Sequence, residues 1–155
     1  MSPNSNPGDE PLRVLVVEDN PGDVWLIEEA FEELDVESSV TYLTDGAEAL
    51  DFLLRRLGDG AGGLDLTILD LNVPKIDGRT ILERITNDSD LYSPPVVVFS
   101  GSRSPDDIRE TYELGAEGYF VKPADPDRFI ETVQDIGESA ADSERLPPGE
   151  FREFA

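Results

Sequence analysis

Leu66-Thr67-Ile68-Leu69-Asp70 is an apolar run of strand length that ends on a carboxylate. The same hand-over occurs three more times. Val14-Leu15-Val16-Val17 passes to Glu18-Asp19, Val96-Val97-Val98-Phe99 to Ser100, and Tyr119-Phe120-Val121 to Lys122. Short β-branched runs bounded by turn residues read as buried strands. Helical stretches separate these four, so the strands are expected to be parallel, with their carboxyl ends on one edge of one sheet. Open α/β sheets bind ligands at that edge. Three acids, a hydroxyl and a lysine therefore converge there, which points to a cation-assisted phosphate site.

The stretches between the strands carry helix signals. Asn20-Pro21 supplies a cap followed by proline at the first helical position, with Asp23 in the first turn of a helix through Val24, Trp25, Ile27 and Phe31. A weaker strand, Val40–Leu43, precedes a second helix from Gly46 to Leu57. Asp77 or Gly78 opens a helix through Ile81, Leu82 and Ile85, and Ser104-Pro105-Asp106-Asp107 opens another that Gly115 stops. Asp125-Pro126-Asp127 starts the last helix, through Phe129, Val133 and Ile136. This makes five βα units and no internal repeat. Residues 1–11, polar and rich in Pro, Ser and Asn, are expected to be disordered, 12–140 to form the domain, and 141–155 a loose or docking tail.

At 155 residues the chain suits one domain. It has no cysteine and no histidine, which excludes disulfides, thiolate metal sites, cysteine nucleophiles and histidine acid–base chemistry. No apolar stretch is long enough to cross a bilayer, and the amino terminus lacks the basic start and apolar core of a signal peptide. A cytoplasmic location follows as the expectation, without membrane insertion.

The formal net charge is −23, from 35 acids against 12 basic residues. This balance argues against direct nucleic-acid binding, because phosphate backbones are bound by clustered Lys and Arg. The acids are spread along the chain and read as a solvated surface suited to high salt, where their repulsion is screened. A docking patch for a basic partner is the alternative. Only two lysines occur among the basic residues, Lys75 and Lys122, and both fall at the expected strand-end edge. Gly58-Asp59-Gly60-Ala61-Gly62-Gly63 matches the dinucleotide fingerprint literally, but it follows a helix and precedes a strand, so it reads as a loop.

Glu18-Asp19, Asp70 with its sequel Leu71-Asn72-Val73-Pro74-Lys75-Ile76-Asp77-Gly78, Ser100, and Lys122-Pro123, in this order and spacing, resemble the receiver domain of two-component response regulators. The resemblance covers roughly residues 12–138. It implies a (βα)5 doubly wound, flavodoxin-like parallel sheet in strand order 2-1-3-4-5, here as a stand-alone receiver. Asp70 would be the phosphoacceptor, with Lys122 and Ser100 each taking one phosphoryl oxygen. The metal set would be Glu18, Asp19, Asp70 and the backbone carbonyl of Asn72, holding Mg²⁺ or Mn²⁺. Two carboxylates a few ångströms apart call for such a cation, and oxygen ligands favour a hard one.

The resemblance further implies a switch role for Ser100 and Tyr119, and a tuning of dephosphorylation by Asn72 and Ser102. Gly101 would leave room for the phosphoryl group, and the Lys122–Pro123 peptide would be cis. The partners implied are a sensor histidine kinase and an unidentified downstream protein, with the chain a monomer or a phosphorylation-dependent homodimer. It would be a signalling domain, not an enzyme beyond slow self-dephosphorylation. Two other readings remain at this point. One is a phosphatase with an aspartyl nucleophile, which would want an acid where Asn72 stands. The other is a pseudo-receiver scaffold, which would have no need of the full set of site residues.

Overall fold

The computed structural model describes residues 11–58, 63–87 and 94–142. Within them, five strands alternate with five helices: β1 (Leu12–Val17), α1 (Pro21–Glu32), β2 (Ser38–Leu43), α2 (Gly46–Gly58), β3 (Leu66–Leu69), α3 (Gly78–Thr86), β4 (Val96–Ser100), α4 (Pro105–Glu113), β5 (Gly118–Val121) and α5 (Pro126–Ala141). The strands form one parallel sheet in the order β2-β1-β3-β4-β5. The expected fold class and strand order are therefore what the chain adopts. The expected disordered start and tail lie almost wholly outside the described residues, as does most of the glycine-rich loop. The last helix runs one residue past the boundary expected at 140.

The sheet is buried on both sides because side chains alternate across a strand. Val14 and Val16 of β1 face α1 and α5, where Ile27, Phe31, Phe129, Val133 and Ile136 complete one core. Leu15 and Val17 point the other way, onto Leu53, Ile81, Leu82 and Ile85 of α2 and α3. Phe99 and Phe129 meet edge to face, with ring centroids 4.9 Å apart. Each such fully buried apolar side chain contributes about 1.5–3 kcal/mol of transfer free energy. Register carries the site with it, since a slip of one residue would exchange the two cores.

Caps set where each helix begins, and thereby which residues are left in the loops above the sheet. The side chains of Asn20, Asp77, Ser104 and Asp125 accept the backbone N–H three residues on, of Asp23, Thr80, Asp107 and Arg128. Gly115 ends α4 at φ 111°, a conformation open to glycine and strained for other residues. The loop after β3 is pinned to the start of α2, where Gly46 donates its N–H to Pro74 at 2.9 Å. A β-carbon on Gly46 would lie 1.6 Å from the Ile76 carbonyl oxygen, so only glycine permits this approach.

The Lys122–Pro123 peptide is not cis, contrary to the expectation; no described residue has a cis bond. An X–Pro bond favours trans by about 0.5–1 kcal/mol. The four-carbon stem of Lys122 delivers its ammonium to the sheet edge from the trans backbone, so the isomer is not needed to aim it.

Candidate functional site

β1 and β3 are hydrogen-bonded neighbours, with Val17 opposite Leu69, so the residues that follow them emerge side by side. Asp70 donates its N–H to the Val17 carbonyl at 3.0 Å, and Glu18 donates its own to Leu43 at 3.0 Å. The backbone thus fixes both acids at the carboxyl edge before any side-chain contact is made. Glu18, Asp19 and Asp70 each present a carboxylate oxygen, and the three oxygens lie within 4.8 Å of one another. Glu18 and Asp70 are buried, whereas Asp19 is exposed.

Lys122 enters from the end of β5, held by its own N–H donated to the Ser100 carbonyl at 2.8 Å. Its ammonium contacts three carboxylates: Glu18 at 2.6 Å, Asp23 at 2.8 Å and Asp70 at 3.1 Å. Burial works against its charge, but hydrogen bonds to Asp23 and Glu18 and the negative charge of Asp70 outweigh that and hold its pKa above the ordinary lysine value. In Glu18 the charged form is the one disfavoured. Burial and the neighbouring charge of Asp70 push its pKa up to about 7, although Lys122 and the Asn20 N–H favour the ionised form. Negative charge is in excess here, and one ammonium does not neutralise it. A donor set made only of oxygens and carrying surplus charge fits a divalent hard cation.

The remaining expected residues sit around this centre. Asn72 donates its N–H to Asp70 Oδ1 at 3.1 Å, and its side chain is exposed. Ser100 is fully buried at the end of β4, and its hydroxyl accepts the Ser102 N–H at 3.2 Å. Tyr119 is fully buried too, with its hydroxyl donated to the Ser102 carbonyl at 2.8 Å. Its ring is therefore already turned inward. A β-carbon on Gly101 would meet no atom within 4 Å, so the space beside the edge is open.

Lys75 is not part of the cluster. It adopts φ 73°, and its ammonium lies 3.4 Å from Asp45, whose carboxylate caps α2 through the Glu48 N–H at 2.7 Å. Of the two lysines, Lys122 thus joins the acid cluster and Lys75 clamps a loop. Asp23 is the site residue that sequence reasoning missed. It was legible only as a first-turn acid of α1; the usable signal was that this helix opens directly after the acid pair, which returns its first turn to the same edge.

A groove of about 400 Å³ runs elsewhere, between α1 and the edge strand β2, lined by Phe31, Leu34, Val36, Val40 and Tyr42 among others. Phosphoryl and hydrated-cation chemistry needs an open acidic edge, so the cluster and not the groove is the candidate site.

The sequence model of the response regulator receiver domain matches residues 14–134. Response regulator Rcp1 of Synechocystis sp. is 34% identical over 148 residues, spanning 95% of this chain and 99% of that one. The probable methanogenesis regulatory protein FilR2 of Methanothrix harundinacea is 37% identical over 130 residues, 84% of each chain. Among solved structures, the phosphorylated cyanobacterial phytochrome response regulator RcpA superposes with a TM-score of 0.79 at 38% identity, covering 89% of this chain and 99% of that one. The Mn²⁺-bound form of Rcp1 superposes with a TM-score of 0.77 at 32% identity, covering 88% and 99%.

Proposed function

The chain belongs to the response regulator receiver family, a family of signalling domains, and from this we propose that it takes a phosphoryl group from a sensor histidine kinase onto Asp70. The observation that carries the assignment is the Lys122 ammonium 3.1 Å from Asp70 Oδ2, beside the three-carboxylate cluster. A carboxylate oxygen of Asp70 attacks phosphorus, forming an acyl phosphate as the bond to the donor's imidazole nitrogen breaks and its electron pair leaves with the imidazole. The chain's part is positional and electrostatic. Lys122 holds one equatorial oxygen, and the Ser100 hydroxyl donates to another.

Glu18, Asp19, Asp70 and the Asn72 carbonyl would hold Mg²⁺ or Mn²⁺, which would supply positive charge to offset the negative charge of the phosphoryl group. Support for a divalent ion comes from the oxygen-only donor set and from Mn²⁺ in the similar Rcp1. Ser100 and Tyr119 report the phosphorylated state to the surface, while Asn72 and Ser102 tune how long it lasts. Downstream, the state is read by a protein partner in the cytoplasm, by the chain as a monomer or a phosphorylation-dependent homodimer.

Incubation with acetyl phosphate and Mg²⁺ tests the assignment. One phosphoryl group of added mass, mapped to Asp70 and lost in Asp70→Asn, is the expected result. Label retained in that variant at an acid-stable, serine-type linkage would place the acceptor elsewhere and overturn it.

A further inference from the structure

We propose that the chain's own tail docks in the groove between α1 and β2, with Phe151 and Phe154 on its apolar floor and Arg152 facing its acidic walls.

The groove, of about 400 Å³, is an unfinished part of the core. Leu34, Val36, Val40 and Tyr42 line it and pack against the same cluster as Ile27, Phe31 and Val133, yet they stay only half-buried. β2 is the edge of the sheet, and α1 leaves its inner face partly uncovered. Glu28, Glu32 and Glu37 line the same groove. Burial, and after it the charges of Glu28 and Glu32, push the Tyr42 phenol above its ordinary pKa, so these acids act on the floor itself.

An apolar floor under acidic walls suits a segment that offers bulky apolar side chains and a cation. Phe151-Arg152-Glu153-Phe154 is such a segment, and it lies outside the described residues. Residues 1–10 also begin near the groove, since Leu12 donates its N–H to the Glu37 carbonyl at 2.8 Å. They contain neither an aromatic nor a basic residue, so they do not fit it.

The tail starts within reach. Each helix returns from the carboxyl edge of the sheet to the amino edge, so α5 ends where β2 begins and where Val36, Glu37 and Ser38 open the groove. α5 already touches that wall. A β-carbon on Gly137 would lie 2.9 Å from Leu34 Cδ1, and the Gln134 amide donates to the Ala30 carbonyl at 3.3 Å. Ala140 and Ala141 pack against the same cluster as the groove floor. From Asp142 to Phe151 the chain can extend about 30 Å, at roughly 3.3 Å per residue.

Glu150 and Glu153 oppose the groove acids, so the two rings carry the binding and Arg152 offsets part of the repulsion. Weak affinity is sufficient, because so short a tether holds its segment at a millimolar effective concentration. A dissociation constant of about 0.1 mM then leaves the groove filled about ten times as often as empty. A separate peptide would need that concentration in free solution to do the same, which favours the tail as the occupant.

Trypsin acting on the full chain reads the docked fraction, because cleavage after Arg152 follows the population of the open form. Val36→Glu puts a charge on the groove floor, leaves the cleavage site unaltered and should raise the rate after Arg152 about tenfold. In the wild type this rate should not change with protein concentration. A rate that falls as the protein is concentrated would seat the tail on a second copy, and equal rates in wild type and variant would leave the groove to a separate partner; either result overturns the proposal. Amide NMR of the full chain locates the contact. Phe151→Ala combined with Phe154→Ala should shift Val36, Val40 and Tyr42 and leave α3 unchanged, whereas shifts confined to residues 143–155 would overturn the proposal as well. Should Val36→Glu fail to fold by circular dichroism, the NMR comparison decides, since the tail variant alters no residue of the sheet or its helices.

Discussion

The Lys122 ammonium lies 2.8 Å from the Asp23 carboxylate, joining the end of β5 to the first turn of α1. Lys122 is shared between this acid and the buried pair Glu18 and Asp70, so its loss and the loss of Asp23 have unequal effects. Asp23→Asn should change stability by less than about 1 kcal/mol, since two carboxylates still hold the ammonium. Lys122→Ala strands two buried carboxylates and should cost about 3 kcal/mol in chelator-treated protein. Urea unfolding of the two variants checks the contrast, and millimolar Mg²⁺ should recover part of the Lys122→Ala loss.

The exposed member of the acid cluster is Asp19, so its replacement tests the proposed cation site without disturbing the core. Asp19→Asn should weaken divalent-cation binding about tenfold or more, because one anionic ligand becomes neutral. Calorimetric titration with Mg²⁺ measures it. Lys122→Arg should not restore phosphorylation to Lys122→Ala, as the site wants a compact point charge and guanidinium is a broad planar fork.

Asp45 gives a pH dependence with a definite sign. The Glu48 N–H foremost, and then the Lys75 ammonium, hold its carboxyl below the ordinary carboxylate value of 3.8. A depressed folded-state pKa contributes stability that is complete above the unfolded value and fades as pH falls through the folded one. Asp45→Asn keeps a capping oxygen but cannot titrate. The stability advantage of the wild type over this variant should therefore shrink below a pH of about 4, as followed by chemical unfolding across pH.

Gly46 is a backbone contact in disguise. Gly46→Ala places a β-carbon 1.6 Å from the Ile76 carbonyl oxygen, and backbone must move to relieve it. The expected cost is about 3 kcal/mol, the upper range for overpacking. Gly101→Ala, where the added carbon meets nothing within 4 Å, is the matched control and should be nearly neutral.

Salt should raise the melting temperature. Thirty-five acids face 12 basic residues, so most surface acids have no cation to pair with and repel one another at low ionic strength. The expected rise between dilute buffer and molar KCl is several degrees, at roughly 2–4 °C per kcal/mol for a chain of this size. Equal melting temperatures at both salt levels would contradict the reading of a surface suited to high salt.

The sequence by itself determined the order of elements, because the signals are local. Alternating apolar runs set the strands, and Asn20, Asp77, Ser104 and Asp125 capped the helices where expected. It also brought Glu18, Asp19, Asp70, Ser100 and Lys122 to one edge, since each is the residue at or just after a strand's carboxyl end and parallel strands end together. Only the tertiary structure decided which of these groups bond to each other. The ties from Lys122 to Asp23, Asp45 to Lys75 and Asp107 to Arg79 join residues far apart or on separate elements, through long side chains whose reach no local pattern records. The trans Lys122–Pro123 bond belongs with them. Its two isomers differ by about 1 kcal/mol or less, so the packing around Lys122 chooses between them, and that packing exists only once the sheet has formed.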